Sequence, residues 1–261
     1  SHAVIKVINP TEQTEISAIY AGDYWRDISM DVDIELDASL TDKTIHTAGV
    51  DGHTLNGNVN VVLGKSNNIV GFDHEDQTGE LNVTIASDLV TSQLECSQVN
   101  HLILEKASRV NIPQNGSFLV NNVTLKEGAV LDLREMSEAP VVQGNFQGVD
   151  TTDPDHCGAV LIGNDNTLTI SGNVNGLTRL NTNGVEAISR FAEDHKYIEA
   201  SATSSGDFTI AGSQYTEYEM KKETSNGRVS WSVQRKQSEN EFDHFQWPDN
   251  QNAVTIDLGK G

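Results

Sequence analysis

Apolar residues along this chain alternate with polar ones in short groups that return at a nearly constant interval. Between Val59 and Leu133 the groups are Val59/Val61/Leu63, Leu81/Val83/Ile85, Leu102/Leu104 and Val123/Leu125. With Val61, Val83, Leu104 and Leu125 as register marks, the steps are 22, 21 and 21 residues. A second stripe follows at a similar offset through Ile69/Val70, Leu89/Val90, Val110/Ile112 and Leu131/Leu133, and Cys96 and Phe118 mark a fainter third, 22 residues apart. Period-two alternation belongs to a β-strand with one buried face. A repeat this short cannot bury its apolar side alone, so successive turns must stack and share one core. The pattern predicts an all-β chain built as a parallel β-solenoid with rungs of about 21–22 residues. Gly and Asn fall between the stripes, as in Asn56-Gly57-Asn58, Thr78-Gly79 and Asn121-Asn122, where sharp corners need unusual backbone conformations. Asn58, Asn82 and Asn122 are candidates for stacked corner ladders.

The solenoid is expected over residues 35–185, with an N-terminal cap at 1–34 and a C-terminal cap and tail at 186–261. In the N-terminal cap, residues 3–8 read as a strand stopped by Asn9-Pro10, and Ile16, Ala18 and Tyr20 share one face of a second strand. Trp25 is expected to lie over the first rung and protect its open edge; a sugar-stacking aromatic is the functional alternative. Asp31–Asp37 alternates acid with apolar, which turns Val32, Ile34 and Leu36 inward and four carboxylates outward. Lysines nearby or bound Ca²⁺ would offset their repulsion, and a solvated face is the simpler account. Residues 136–158, with Pro140, Pro154 and the polar run from Asp150 to His156, predict an insertion loop that leaves the wall. Further on, residues 185–192 suggest a short helix, and Asn226-Gly227 between two alternating arms predicts a hairpin with a primed turn.

Charge narrows the function. Seventeen basic against 38 acidic residues give a net charge of −21, which excludes a nucleic-acid groove and electrostatic docking on an anionic membrane. No stretch approaches the roughly 18–20 apolar residues that span a bilayer, so no membrane insertion is expected in this fragment. Ser1-His2 resembles a tag remnant, which makes the lack of a signal peptide uninformative. Two cysteines, Cys96 and Cys157, are too few for a disulfide scaffold, and Cys96 reads as a small buried hydrophobe.

The phrases Leu125-Lys-Glu-Gly-Ala-Val-Leu-Asp-Leu133 and Asn166-Thr-Leu-Thr-Ile-Ser-Gly-Asn-Val174 carry a family resemblance. The chain resembles right-handed parallel β-helix, pectin-lyase-like proteins over residues 35–185, and among them the adhesin-type solenoids of bacterial surfaces. That resemblance implies a secreted or cell-surface binding or structural module presenting a rigid face and the insertion loop to a host-surface protein or glycan. It also implies two alternatives: a polysaccharide lyase or glycoside hydrolase on the same fold, and a structural stalk within a larger surface protein. Lyases of this kind set Ca²⁺-binding carboxylates beside a basic residue, yet Arg109 and Arg134 do not obviously share a rung face. Four His follow an Asp directly, at Asp73-His74, Asp155-His156, Asp194-His195 and Asp243-His244. The compact set Asp153, Asp155 and His156 is the candidate metal site, and Asp150, Asp153, Asp155, His156 and Trp25 are the candidate ligand contacts. No catalytic residue is assigned, and no cofactor is expected beyond Ca²⁺ in that loop.

Overall fold

In the computed structural model of this chain, the structure describes residues 1–8, 15–91, 93–181, 191–210 and 217–237. The alternation does what its period demands. In Asp31–Asp37 the side chains of Val32, Ile34 and Leu36 are buried, and Val59–Leu63, Leu81–Ile85 and Phe118–Leu125 repeat the arrangement. The fold is all-β, its strands are largely parallel, and no sheet closes into a barrel. The main sheet holds thirteen strands. In spatial order they begin with His2–Ile8, Asp31–Asp37, Val59–Leu63, Leu81–Ile85, Cys96–Leu104 and Phe118–Leu125. Two pairs of short strands follow, then Ile198–Ser201, and the hairpin Tyr218–Ser225/Arg228–Arg235 completes the sheet, with Arg228–Arg235 antiparallel to Ile198–Ser201. A second, six-stranded parallel sheet runs from Val90–Thr91 through Arg109–Asn111 and Val130–Asp132 to Asp207–Thr209. Two three-stranded sheets flank only the early part of the chain, ending at Gly71–Asp73 and Gln77–Thr78.

Up to Ile198–Ser201 strand order follows chain order, so each pass of the chain lies on the one before. One inward column runs Ile34, Val61, Val83, Leu102, Val123, Phe146, Val174, with separations of 27, 22, 19, 21, 23 and 28 residues. Leu104 pairs with Ile85 and not with Val83, so the sequence register was two residues out there. A two-residue slip keeps every side chain on its own face, which is why the inward set was still read correctly. Cys96 and Phe118 pair directly.

Three expectations need correction. Residues 136–158 do not leave the wall: Val141–Val142 and Phe146–Gln147 both pair with Phe118–Leu125, and Val142 and Phe146 are fully buried. Each of these strands buries a single apolar residue, so their alternation is too brief to see. Only residues 150–156 project, around the short 3-10 turn Pro154–His156. At the N-terminus, His2–Ile8 pairs in parallel with Asp31–Asp37 as the first strand of the same sheet. Trp25 is 80% exposed, set edge-on against Tyr24, and covers no rung; Ile19 rather than Tyr20 turns inward.

The four carboxylates of Asp31–Asp37 find protein partners. Lys6 sits 3.5 Å from Glu35, and His2 Nε2 lies 2.9 Å from Asp33. Asp31 and Asp37 accept from the backbone N–H groups of Asn58 and Ser66 at 2.9 and 2.7 Å. Of the three candidate corner asparagines, Asn122 enters a ladder, with Asn145 and Asn173, while Asn58 and Asn82 stand outside it. Asn58 Oδ1 accepts from Glu80 N–H, Asn122 Oδ1 from Asn145 N–H, and Asn145 Oδ1 from Asn173 N–H, each at 2.9 Å. Asn82 belongs to a separate outward column, donating to Asn60 at 3.0 Å, and Asn60 donates in turn to Asp33 at 2.8 Å. At Gly57 the chain passes so close to the Met30 carbonyl that a Cβ would collide with it.

The hairpin turn has positive φ at both Asn226 (52°) and Gly227 (73°), the primed geometry its sequence called for. The helix expected over 185–192 and the tail beyond 237 fall mainly or wholly outside the described residues. Nearby, the buried Tyr197 hydroxyl donates to Asn164 Oδ1 at 2.6 Å and accepts from Ala192 N–H at 2.7 Å. Burial pushes its phenol up to about 12. Tyr197→Phe is expected to cost about 1–2 kcal/mol, because a buried donor–acceptor is lost without relieving its partners; urea unfolding of the two proteins measures it.

Candidate functional site

A broad concavity arises where the passes shorten. Residues 64–80 form two flanking strands, Gly71–Asp73 and Gln77–Thr78, but residues 86–95 form only Val90–Thr91. The wall therefore steps inward, and the turn at 74–76 overhangs the passes that follow. Beneath it lies a groove of about 750 Å³. His74 Nε2 ties the overhang down, 2.7 Å from the carbonyl oxygen of Ser97.

A bulge shapes the groove wall. Ser97 pairs with Leu119 and Val99 with Val120, which leaves Gln98 as an extra residue at φ 55°. Such a bulge re-aims a side chain out of the alternation, and positive φ is uncommon for a residue other than glycine. The lining also includes Phe72, Val99 and Leu119 as an apolar floor, and the amides Gln77, Asn100, Asn121 and Gln143. Gln77 donates to the carbonyls of Gly57 and Glu80, and Asn100 Oδ1 accepts from Leu81 N–H. The exposed side chains of Gln98, Asn121 and Gln143 have no hydrogen-bond partner among the described residues. Asp73 and Glu75 add two carboxylates, and neither Lys nor Arg lines the groove.

Asp73 is held from behind. His46 Nδ1 lies 3.0 Å from Asp73 and its Nε2 2.7 Å from Asp42, while Tyr20 stacks flat on the imidazole at 4.3 Å. Partial burial lowers the pKa of His46, but the hydrogen bonds and charges of Asp42 and Asp73 outweigh it and hold the group above its ordinary 6.5. A raised folded pKa contributes stability that is complete below the unfolded value and lost as pH rises through the folded one. The melting temperature is thus expected to fall as pH rises above the ordinary 6.5 of a histidine, and His46→Gln to remove that component. An unchanged pH slope in the variant would refute it.

On the six-stranded sheet, Arg109 and Arg134 do share a face, contrary to the sequence reading. Both reach Asp132: Arg109 Nη2 contacts Oδ2, and Arg134 donates through Nη2 at 2.7 Å and Nε at 2.9 Å. They line a cleft of about 260 Å³ with Gln93, Asn111 and Glu135. Burial raises the pKa of Asp132, yet the Arg134 hydrogen bonds and the two guanidinium charges prevail and hold it below the usual carboxylate range. A carboxylate held ionised by two arginines is a strut, poorly suited to donate a proton.

In the projecting turn, His156 Nδ1 lies 3.0 Å from Glu127 and its Nε2 3.6 Å from Asp153. Asp153 also caps the turn, accepting from Asp155 N–H at 2.9 Å. The structure thus brings Asp153 and His156 together and adds Glu127, while Asp150 is exposed at the start of the same segment and Trp25 is exposed in the N-terminal part of the chain. Among the described residues no group of three or more His, Cys, Asp or Glu side chains is placed to hold a metal ion. Glu127 raises the pKa of His156 chiefly by hydrogen bonding to it. Of the other Asp-His pairs, His195 bonds the carbonyl of Asn166 at 2.6 Å, and Asp243-His244 lies outside the described residues. Cys96 and Cys157 are buried and free, with the Cys96 thiol pushed up to about 12 by burial.

The groove amides escaped the sequence reading. The available signal was the break in alternation at Gln98, where the interval to the preceding pass is shortest. No helix among the described residues is long and apolar enough to cross a membrane. No protein-family model matches the chain, and neither a curated protein nor a solved structure matches it significantly.

Proposed function

We propose that the chain is a right-handed parallel β-solenoid that works outside the cell, secreted or surface-attached, as a rigid binding module for a glycan. The stacked parallel passes and their common core support the solenoid reading. The observation that carries the binding reading is the polar groove beside the Gln98 bulge, with three amide side chains lacking protein partners. Pre-formed concavities with a few convergent polar groups are the usual seats of ligands. The contact surface moves accordingly from the projecting turn to the wall, although Gln143 still comes from the 136–158 segment. Binding is favoured over catalysis because the acids with resolved basic partners serve as supports: Asp132 between two arginines, Asp73 against His46.

Affinity electrophoresis through gels containing soluble polysaccharides tests this reading, paired with assays for new reducing or unsaturated ends. Retardation without end release is the expected result. Release of ends would replace the module by a polysaccharide-active enzyme, and free migration through every polymer would remove the glycan from the proposal.

A further inference from the structure

We infer that the groove takes an uncharged polysaccharide laid along the stacking direction, about one sugar to each strand pass. This rests on the glycan-binding reading and specifies its substrate class. The groove lining comes from four successive passes, and Gln98, Asn121 and Gln143 supply its unpartnered amides. Adjacent strands in a sheet lie about 4.8 Å apart, so four stacked passes span roughly 14 Å. A pyranose unit in an extended chain advances by a comparable distance, so the strand passes and a row of sugars stay in step. An extended peptide advances about 3.3 Å per residue and would drift out of step within the same length.

The donor inventory fits hydroxyls. Gln98, Asn121 and Gln143 each offer an acceptor oxygen and two N–H donors, as a polyol requires, whereas a carboxylate only accepts. Phe72 and Leu119 supply half-buried apolar surface for the C–H face of a ring. Charge sets the class. Asp73 and Glu75 face the groove with no Lys or Arg to offset them, in a chain of net charge −21. A uronate or sulfated chain would bring like charges together in a partly desolvated site, which opposes binding.

Calorimetric titration decides it, using cello-, xylo-, manno- and N-acetylchito-oligosaccharides of two to six units against oligogalacturonates of the same lengths. Affinity for at least one neutral series should rise with length and level off near four units, with no measurable binding of oligogalacturonate. The exposed pair Asn121→Ala/Gln143→Ala should keep its melting temperature and weaken neutral binding about tenfold, since each lost hydrogen bond is worth about 1 kcal/mol or less. In Asp73→Asn/Glu75→Gln the discrimination against oligogalacturonate should shrink. Oligogalacturonate binding that the amide variant abolishes would overturn the uncharged class and leave the glycan-binding groove standing. Neutral binding that the amide variant leaves intact would overturn the groove assignment. No binding of any oligosaccharide would overturn both readings.

Discussion

Replacing Trp231 with alanine should lower the free energy of unfolding by about 4 kcal/mol, the largest single effect expected in this chain. Trp231 is fully buried where the hairpin closes the far end of the core. Its ring meets Phe208 edge-on at 5.1 Å, and Phe208 meets Phe146 at 5.6 Å, so the indole is the outermost of a chain of three aromatics. Its Nε1 donates to Asp207 at 2.7 Å, and Lys222 Nζ lies 5.2 Å from the ring centroid. Trp231→Phe separates the contributions: it keeps most of the apolar contact and loses the hydrogen bond, for about 1–2 kcal/mol. Chemical denaturation of the three proteins measures both. A loss under 1 kcal/mol in the alanine variant would show that the hairpin contributes little to closing the core.

Asp132→Ala ranks next, at about 3 kcal/mol. Removing one member of a buried ion pair costs about 3–5 kcal/mol because the partner is left desolvated and uncompensated. Arg109 and Arg134 retain 28% and 29% side-chain exposure, and water can partly replace the carboxylate, which places the expectation at the lower end. The same site sets an acid limit. A depressed folded pKa contributes stability that is complete above the unfolded value and lost as pH falls through the folded one. Wild type should therefore lose stability as pH drops below the ordinary 3.8 of an aspartate, and Asp132→Ala should show a shallower acid slope. Equal slopes would mean that the arginines do not hold the carboxylate ionised.

What the sequence made legible was local. Val61, Val83 and Val123 announce their faces because alternation needs only five or six residues to be seen, and Asn226-Gly227 announces its turn in two. The 136–158 segment was misread because Val142 and Phe146 each stand alone between outward residues, with Pro140 and Pro154 nearby suggesting a loop. Arg109 and Arg134 could not be placed on one face from their spacing, since the six-stranded sheet sets Asn111 beside Asp132 through a register of its own. The groove was the least readable feature. It is a difference between the lengths of successive passes, made by Gln98 and by the overhang at His74, and no short window of sequence contains it. Trp25, singled out because it is large and aromatic, proved to be an exposed side chain away from the core.

The regular separation of partners has a kinetic consequence. Among the described residues every parallel pairing joins residues 19 to 30 positions apart, a small part of the chain's 261. Closing loops of such similar size costs a nearly constant entropy at each step, so no strand must wait for a partner from the far end. Folding can then begin at any adjacent pair of passes and spread outward, each pass templating the next. Unfolding should run the same course in reverse, as fraying from the ends. Amide exchange would accordingly show protection graded along the stack, highest in the middle passes around Val83, Leu102 and Val123.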